Sequence, residues 1–356
     1  MEVVENTFEV ERVKKSKVTE TDFGNLQFGR VFSDHMFIAE YADGKWGKAK
    51  IQPYQNLSIS PASCVFHYGQ AIFEGLKAYR STKGEIVLFR PDQNHLRLNK
   101  SALRMCMPEV PKHFFIEGLK QLIDIDRNWI PEGDDLSLYI RPFLIADEAF
   151  LGVKPSSRYK FMIITSPTST YYTGAVKVKV ENHYSRACQG GIGAAKAAAN
   201  YAASIFPATQ AQKQGYHQLI WTDANEHKYI EECGTMNIMF VINGNLITPS
   251  IERDTILPGI TRASILQLAK KWNMNIEERR ISVDEVLAAI KNNSLEEAFG
   301  VGTAATIAPF SNIGIGENDY ELSDFNTWKF SNKAKDYLDQ VKRGTQEDEF
   351  NWTIKF

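Results

Sequence analysis

The sequence predicts an α+β protein in two unequal halves. Three observations carry that reading: tight-turn dipeptides joining short apolar strand patterns, segments with helical apolar spacing between them, and one polar stretch that divides the chain. Met36–Tyr41 and Trp46–Ile51 flank Asp43-Gly44, and a type I′ turn needs the positive φ that such a pair supplies. Leu76–Ser81 and Glu85–Arg90 form a second pair around Lys83-Gly84. Pro91-Asp92 opens a helix carrying Leu96, Leu103 and Met107, and Pro108 and Pro111 stop it. Phe114–Ile125 places Phe115, Leu119, Leu122 and Ile123 at helical spacing. Leu136–Ala146 and Lys160–Thr165 alternate little, as strands buried on both faces do. Ser166–Gly174 is the linker. The expected organisation is a domain over 1–168, a linker over 169–177 and a domain over 178–356.

The second half opens with strand Val176–Val180, followed by an Ala-rich helix after Gly190, Gly191 and Gly193. Gln218–Thr222 pairs with Lys228–Glu232, and Met236–Ile242 pairs with Leu246–Thr248 around Asn243-Gly244. Helices are expected over Thr261–Trp272, with Ile265, Leu266, Leu268 and Ala269 on the apolar face, and over Val283–Asn292. Glu297–Gly302 reads as a strand ending in the small-residue turn 302–305. A helix over Phe325–Lys342 precedes a polar tail.

Composition narrows the function classes. The chain has 356 residues, enough for a substantial core, and a net charge of −2 gives no electrostatic case for nucleic acid or an anionic membrane. No apolar run approaches the roughly 20 residues that span a bilayer. Cys64, Cys106, Cys188 and Cys233 are widely spaced without metal-ligand spacing, so no metal is expected and a cytoplasmic, reduced state is. Residues 1–22 carry neither a secretory nor a transit pattern.

The chemistry centres on Lys196, the only charged residue between Arg186 and Lys213. A lysine among Gly and Ala, if buried, becomes a usable amine nucleophile or base; a solvated helix lysine is the ordinary alternative. Amine chemistry on amino acids needs an electron sink, commonly pyridoxal phosphate. That cofactor asks for a carboxylate at its ring nitrogen, an anion site and a donor to its ring oxygen. Glu231-Glu232 ends a strand, and only one of the two can face a pocket. Gly259-Ile260-Thr261 opens a helix, whose N-terminus suits a phosphate, and Gly302-Thr303-Ala304 is a second hydroxyl-bearing turn. Arg97 and Tyr201 are further candidates, each with a plain structural reading beside the functional one.

Taken together these residues give a resemblance. Phe28-Gly-Arg, Phe73-Glu-Gly-Leu-Lys, Asn94-His-Leu-Arg97, Ser137-Leu-Tyr-Ile-Arg141, the Lys196 stretch, Glu232-Cys-Gly-Thr-Met-Asn237, Leu257-Pro-Gly-Ile-Thr-Arg262 and Phe299-Gly-Val-Gly-Thr-Ala304 occur in one order over nearly the whole chain. In that order they resemble the branched-chain amino acid aminotransferases of the fold-type IV pyridoxal phosphate family.

The resemblance implies two α/β domains, with the active site between them at a homodimer interface. It implies that Lys196 forms the Schiff base with pyridoxal 5′-phosphate and moves the Cα proton. Glu232 rather than Glu231 would bind the ring nitrogen, and Tyr201 the ring oxygen. Arg97, the amides at Ile260 and Thr261, and Thr303 would hold the phosphate. Thr235 and the amide of Ala304 would receive the substrate carboxylate near Tyr68. Phe28, Phe73, Tyr139 and Tyr171 would line the side-chain pocket, while Arg141 orients a neighbour or meets an acidic substrate.

The implied reaction exchanges the amino group between leucine, isoleucine or valine and 2-oxoglutarate. Its rivals are a D-amino acid aminotransferase or aminodeoxychorismate lyase on the same fold, or a non-catalytic cofactor-binding protein. One departure stands out. Ala305 and Ala308 hold the places of a C-x-x-C pair found in animal relatives, so redox switching there is not expected.

Overall fold

The structure is a computed structural model describing residues 7–169 and 174–356. It divides into two compact units. The first takes residues up to 171 together with Ala195–Ala199 and Asp339–Phe356; the second takes 172–194 and Asn200–Leu338. Two short stretches expected in the second half of the chain therefore belong to the first unit.

The first unit is built on one sheet. Its strands are β1 (Glu9–Val10), β2 (His35–Ala42), β3 (Lys45–Trp46), β4 (Lys50–Pro53), β5 (Ala71–Phe73), β6 (Leu76–Arg80), β7 (Ile86–Phe89), β8 (Ser137–Ala146), β9 (Tyr159–Thr168) and the chain's last strand, β19 (Thr353–Lys355). They run in the order β1-β4-β2-β9-β8-β6-β7-β19, with β3 added to β2 and β5 to β8. Asp43 (φ 53°) and Gly44 (φ 74°) both adopt the left-handed conformation that the β2–β3 turn demands. Helix α1 (Cys64–Tyr68) precedes β5, and α2 (Pro91–Arg104) and α3 (Lys112–Ile125) follow β7. On α3 the residues Phe115, Leu119, Leu122 and Ile123 are fully buried, and Gly118 lets the helix approach Phe37 closely.

Several expectations are corrected here. Leu96 and Leu103 are 53% and 75% exposed, so they are not the core face of α2. That face is Asn94, Arg97, Leu98, Ser101 and Ala102, a mixed stripe in which polar residues are buried because each finds a partner. The tail is not simply polar. Trp352 and Phe356 are buried, Trp352 stacks on Phe350 with centroids 4.4 Å apart, and β19 pairs with β7. The segment expected as linker is strand through Thr168, and the expected pocket residue Tyr171 lies outside the described residues.

The second unit is a closed ring of strands flanked by helices. Its strands are β10 (Val176–Val180), β11 (Gln218–Thr222), β12 (Ile230–Cys233), β13 (Met236–Ile242), β14 (Asn245–Thr248), β15 (Ile276–Glu278), β16 (Leu295–Gly302), β17 (Thr306–Ile315) and β18 (Asn318–Glu321). The order is β12-β11-β10-β17-β16-β13-β14-β15, and β12 also pairs with β13, so the path from β12 round to β13 closes on itself. Val178, Ile220, Ile238, Phe240, Ala298, Phe310 and Ile313 are all fully buried in its core. Helices α4 (Ala198–Lys213), α5 (Ile260–Lys271) and α6 (Val283–Lys291) follow, and α6 is capped by Ser282 Oγ accepting from Glu285 N.

β17 is absent from the sequence reading, which assigns nothing between the turn at 302–305 and the helix expected from Phe325. The expected helix over Phe325–Lys342 is interrupted. A 3-10 turn at Phe325–Thr327 precedes α7 (Phe330–Arg343), because the Glu297 carboxylate accepts the N–H groups of Lys329, Phe330 and Ser331 and starts a new helix there.

Candidate active site

In the first unit, Lys196 is not on a helix. It lies in an extended stretch two residues before α4, held by the backbone of its neighbours. Phe73 N donates to Lys196 O at 3.1 Å, Ala197 bridges Ile72, and Lys196 N donates to Ser101 Oγ at 2.9 Å. The lysine is thus added to the edge of β5, and its half-buried side chain carries Nζ 4.7 Å from the centroid of the Phe73 ring. Arg141 lies 4.5 Å from the same centroid and donates to Tyr139 Oη at 2.9 Å. Phe28 packs edge-on to Tyr139 at 4.9 Å. Gly75 is required beside them, since a Cβ there would collide with the Tyr139 hydroxyl.

Arg97 enters this group through partners that sequence reasoning missed. Its Nε and one terminal nitrogen each donate to Glu74 at 2.8 Å, a bidentate pair with Glu74 fully buried. Asn94 Nδ2 also donates to Glu74, at 2.8 Å. Ser101 Oγ donates to Arg97 O at 3.0 Å while accepting from Lys196 N, so one hydroxyl ties α2 to the lysine. The Phe73-Glu74-Gly75 run was visible in the sequence, but nothing local marked Glu74 as the partner of a residue a helix away.

In the second unit, both Glu231 and Glu232 are buried, at 7% and 4% exposure, so neither is the solvated strand residue that remained a possibility. Glu232 is the one with a full set of partners. Its Oε2 lies 2.9 Å from Arg186 Nε, and its Oε1 accepts from Leu257 N at 2.8 Å and from Asn237 Nδ2 at 3.3 Å. Arg186 is anchored in turn by the Thr255 carbonyl. Cys233 beside it is fully buried, and burial together with the Glu232 charge pushes its thiol above the ordinary range, which makes it an inert core thiol.

Asn237 also sits against Gly259, where a Cβ would collide with its side-chain oxygen, and so connects Glu232 to the start of α5. The N-terminus of α5 has no side-chain cap, and the first-turn amides at Ile260 and Thr261 have no intrahelical acceptor. Asn237 pairs with Val301, so the turn bearing Thr235 and the turn bearing Thr303 and Ala304 leave the same end of the ring. Thr235 is exposed there, and Tyr201 is half-buried on α4.

These features fit pyridoxal phosphate. An uncapped helix start faced by glycine offers amides to an anion, and a buried, multiply held carboxylate suits a protonated ring nitrogen. Among the described residues no group of His, Cys, Asp and Glu is gathered to hold a metal ion, and no helix is long and apolar enough to cross a membrane.

Comparison with known proteins agrees with this chemistry. The family described as amino-transferase class IV matches residues 71–313. The chain is 46% identical to branched-chain-amino-acid aminotransferase 2 of Bacillus subtilis, covering 99% of this chain and 98% of that protein. It is 42% identical to the branched-chain-amino-acid aminotransferase of Mycolicibacterium smegmatis over 95% of this chain and 94% of that one. Among solved structures, the Escherichia coli branched-chain amino acid aminotransferase superposes with a TM-score of 0.71 at 26% identity, covering 90% of this chain and 98% of that chain. The chain belongs to the class IV aminotransferases, in the branched-chain-amino-acid branch of that family.

Proposed function

We propose that the chain transfers the amino group between L-leucine, L-isoleucine or L-valine and 2-oxoglutarate, with pyridoxal 5′-phosphate carried on Lys196. The single observation that carries the residue assignment is the fixed lysine. Its backbone is pinned to β5 and Ser101, and its amine lies against Phe73 in the company of Tyr139 and Arg141. When bound, the cofactor supplies the electron sink that makes the substrate Cα–H acidic. Lys196 Nζ takes that proton and later returns one. Glu232 holds the proton on the ring nitrogen, and Arg186 together with Leu257 N keeps that carboxylate in place. Arg97, the amides of Ile260 and Thr261, and Thr303 hold the phosphate, and Tyr201 donates to the ring oxygen.

Thr235 and the Ala304 amide receive the substrate carboxylate, near Tyr68. Phe28, Phe73 and Tyr139 form apolar walls, so each methylene removed from leucine is expected to cost about 1–3 kcal/mol in kcat/KM. Glutamate needs a donor for its second carboxylate. Arg141 Nε is buried with no hydrogen-bond acceptor among the described residues, which suits that task. We place the enzyme in the cytoplasm as a homodimer. Phe66, Leu151 and Val153 of the first unit are 62%, 67% and 89% exposed, apolar surface that a second copy would cover. Sedimentation at monomer mass would reject the dimer.

The test of the assignment is borohydride reduction of the yellow holoenzyme followed by peptide mapping, with the label expected on Lys196. A label on another lysine overturns the site. Equal kcat/KM for leucine and alanine overturns the branched-chain preference.

A further inference from the structure

On the second unit, on the face of β12 opposite Glu232, a cleft opens among the β11–β12 turn, the segment around Arg253 and the stretch at Cys188. Glu231 lines it, is 7% exposed, and its Oε2 accepts no hydrogen bond among the described residues. Burial raises this carboxyl above its ordinary range, against the smaller opposing effects of Thr255 and Arg186.

The guanidiniums at the cleft are loosely engaged. Arg253 reaches Gln189 at 3.3 Å, and Arg280, stacked 3.3 Å from the Tyr229 centroid, approaches Asp223 and Glu226 only at 3.9 and 4.0 Å. Asp223 is already occupied by the N–H groups of Glu226, Lys228 and Tyr229. The cleft therefore offers a buried acid with one oxygen, Glu231 Oε2, lacking a donor among the described residues, and two guanidiniums with room for an acceptor. Ile256 supplies an aliphatic wall.

We propose that this cleft binds a free α-amino acid, its ammonium on Glu231 and its carboxylate on Arg253 and Arg280. A simple anion would leave Glu231 Oε2 unanswered, and a simple cation would face the two arginines; a zwitterion satisfies both ends. The site stands on the cleft alone and does not depend on the transamination reading.

Cys188 is exposed at the cleft and reports its occupancy. The holoenzyme is alkylated with iodoacetamide and the rate at Cys188 is read by peptide mass mapping, with the exposed Cys106 of the first unit as internal reference. The probes are L-leucine, 4-methylvaleric acid, which lacks its ammonium, and 3-methylbutylamine, which lacks its carboxylate. Leucine at about twice its dissociation constant should slow Cys188 about threefold relative to Cys106, and the two half-molecules should not. Glu231→Gln and Arg253→Ala should each abolish the protection, while Arg253→Ala retains transamination. Absence of protection in the wild type overturns the proposal. So does protection that persists in both variants, or equal protection by 4-methylvaleric acid, which would mark an effect of the catalytic site.

Discussion

At the residue scale, buried charges divide into those that are answered and those that are not. Glu74 and Arg97 form a buried bidentate pair, so replacing one partner strands the other. Glu74→Gln should cost about 3–5 kcal/mol in urea-denaturation stability and should weaken cofactor retention, because Arg97 loses the acid that aims it. Unchanged cofactor affinity would show that Glu74 serves stability alone. Glu231 is answered only in part, by Thr255, and its Oε2 lacks a donor among the described residues. Its folded-state pKa is raised, so the folded protein binds a proton that the unfolded chain has already lost in the window just above pH 4.5, and wild-type stability is lost as pH rises through that window. Glu231→Gln should therefore raise Tm at pH 8, with the gain shrinking towards pH 5. A constant difference across that range would mean that the carboxyl does not titrate abnormally.

The same pairs show what was readable in the sequence. Lys196 and Glu232 stood out by motif. Glu74 and Arg186 did not, because a buried ion pair joins residues remote in sequence and leaves no periodic trace; Glu74 and Arg97 are 23 positions apart.

At the element scale, local chemistry was legible and long-range pairing was not. Asn243 (φ 50°) and Gly244 (φ 75°) turn the β13–β14 hairpin where an Asn-Gly pair announces it, and α3 and α5 follow their apolar spacing. β17 carries Pro309 and Gly314 within ten residues and reads as loop, yet it pairs with β10, β16 and β18. Lys196 reads as helical because alanines follow it, but bonding to β5 and Ser101 overrides that propensity. The start of α5 depends on Gly259. Gly259→Ala would push Asn237 away and loosen its hold on Glu232, with an expected cost of about 1–3 kcal/mol and a weaker visible cofactor band. An unaltered spectrum and Tm would show that the helix start accommodates the methyl group.

At the scale of the whole molecule, the first unit's sheet ends on a strand from the far end of the chain. Deleting residues 346–356 removes β19 and the buried Trp352 and Phe356, which contribute about 1.5–3 kcal/mol each, and bares the edge of β7. The truncated protein should lose several kcal/mol in denaturant titration and aggregate. Wild-type solubility and midpoint would show that the strand is dispensable. The return of Ala195–Ala199 and of the C-terminal stretch to the first unit was not legible in the sequence, since neither carries a local marker of the sheet it joins.

That return has a consequence for synthesis. A ribosome releases the chain from its N-terminus, so the first 171 residues emerge without the Lys196 segment and without their closing strand. The first unit waits as an open-edged intermediate until β19 has been made. A stop that falls before β19 then yields a protein whose first-made half is the half left unfinished.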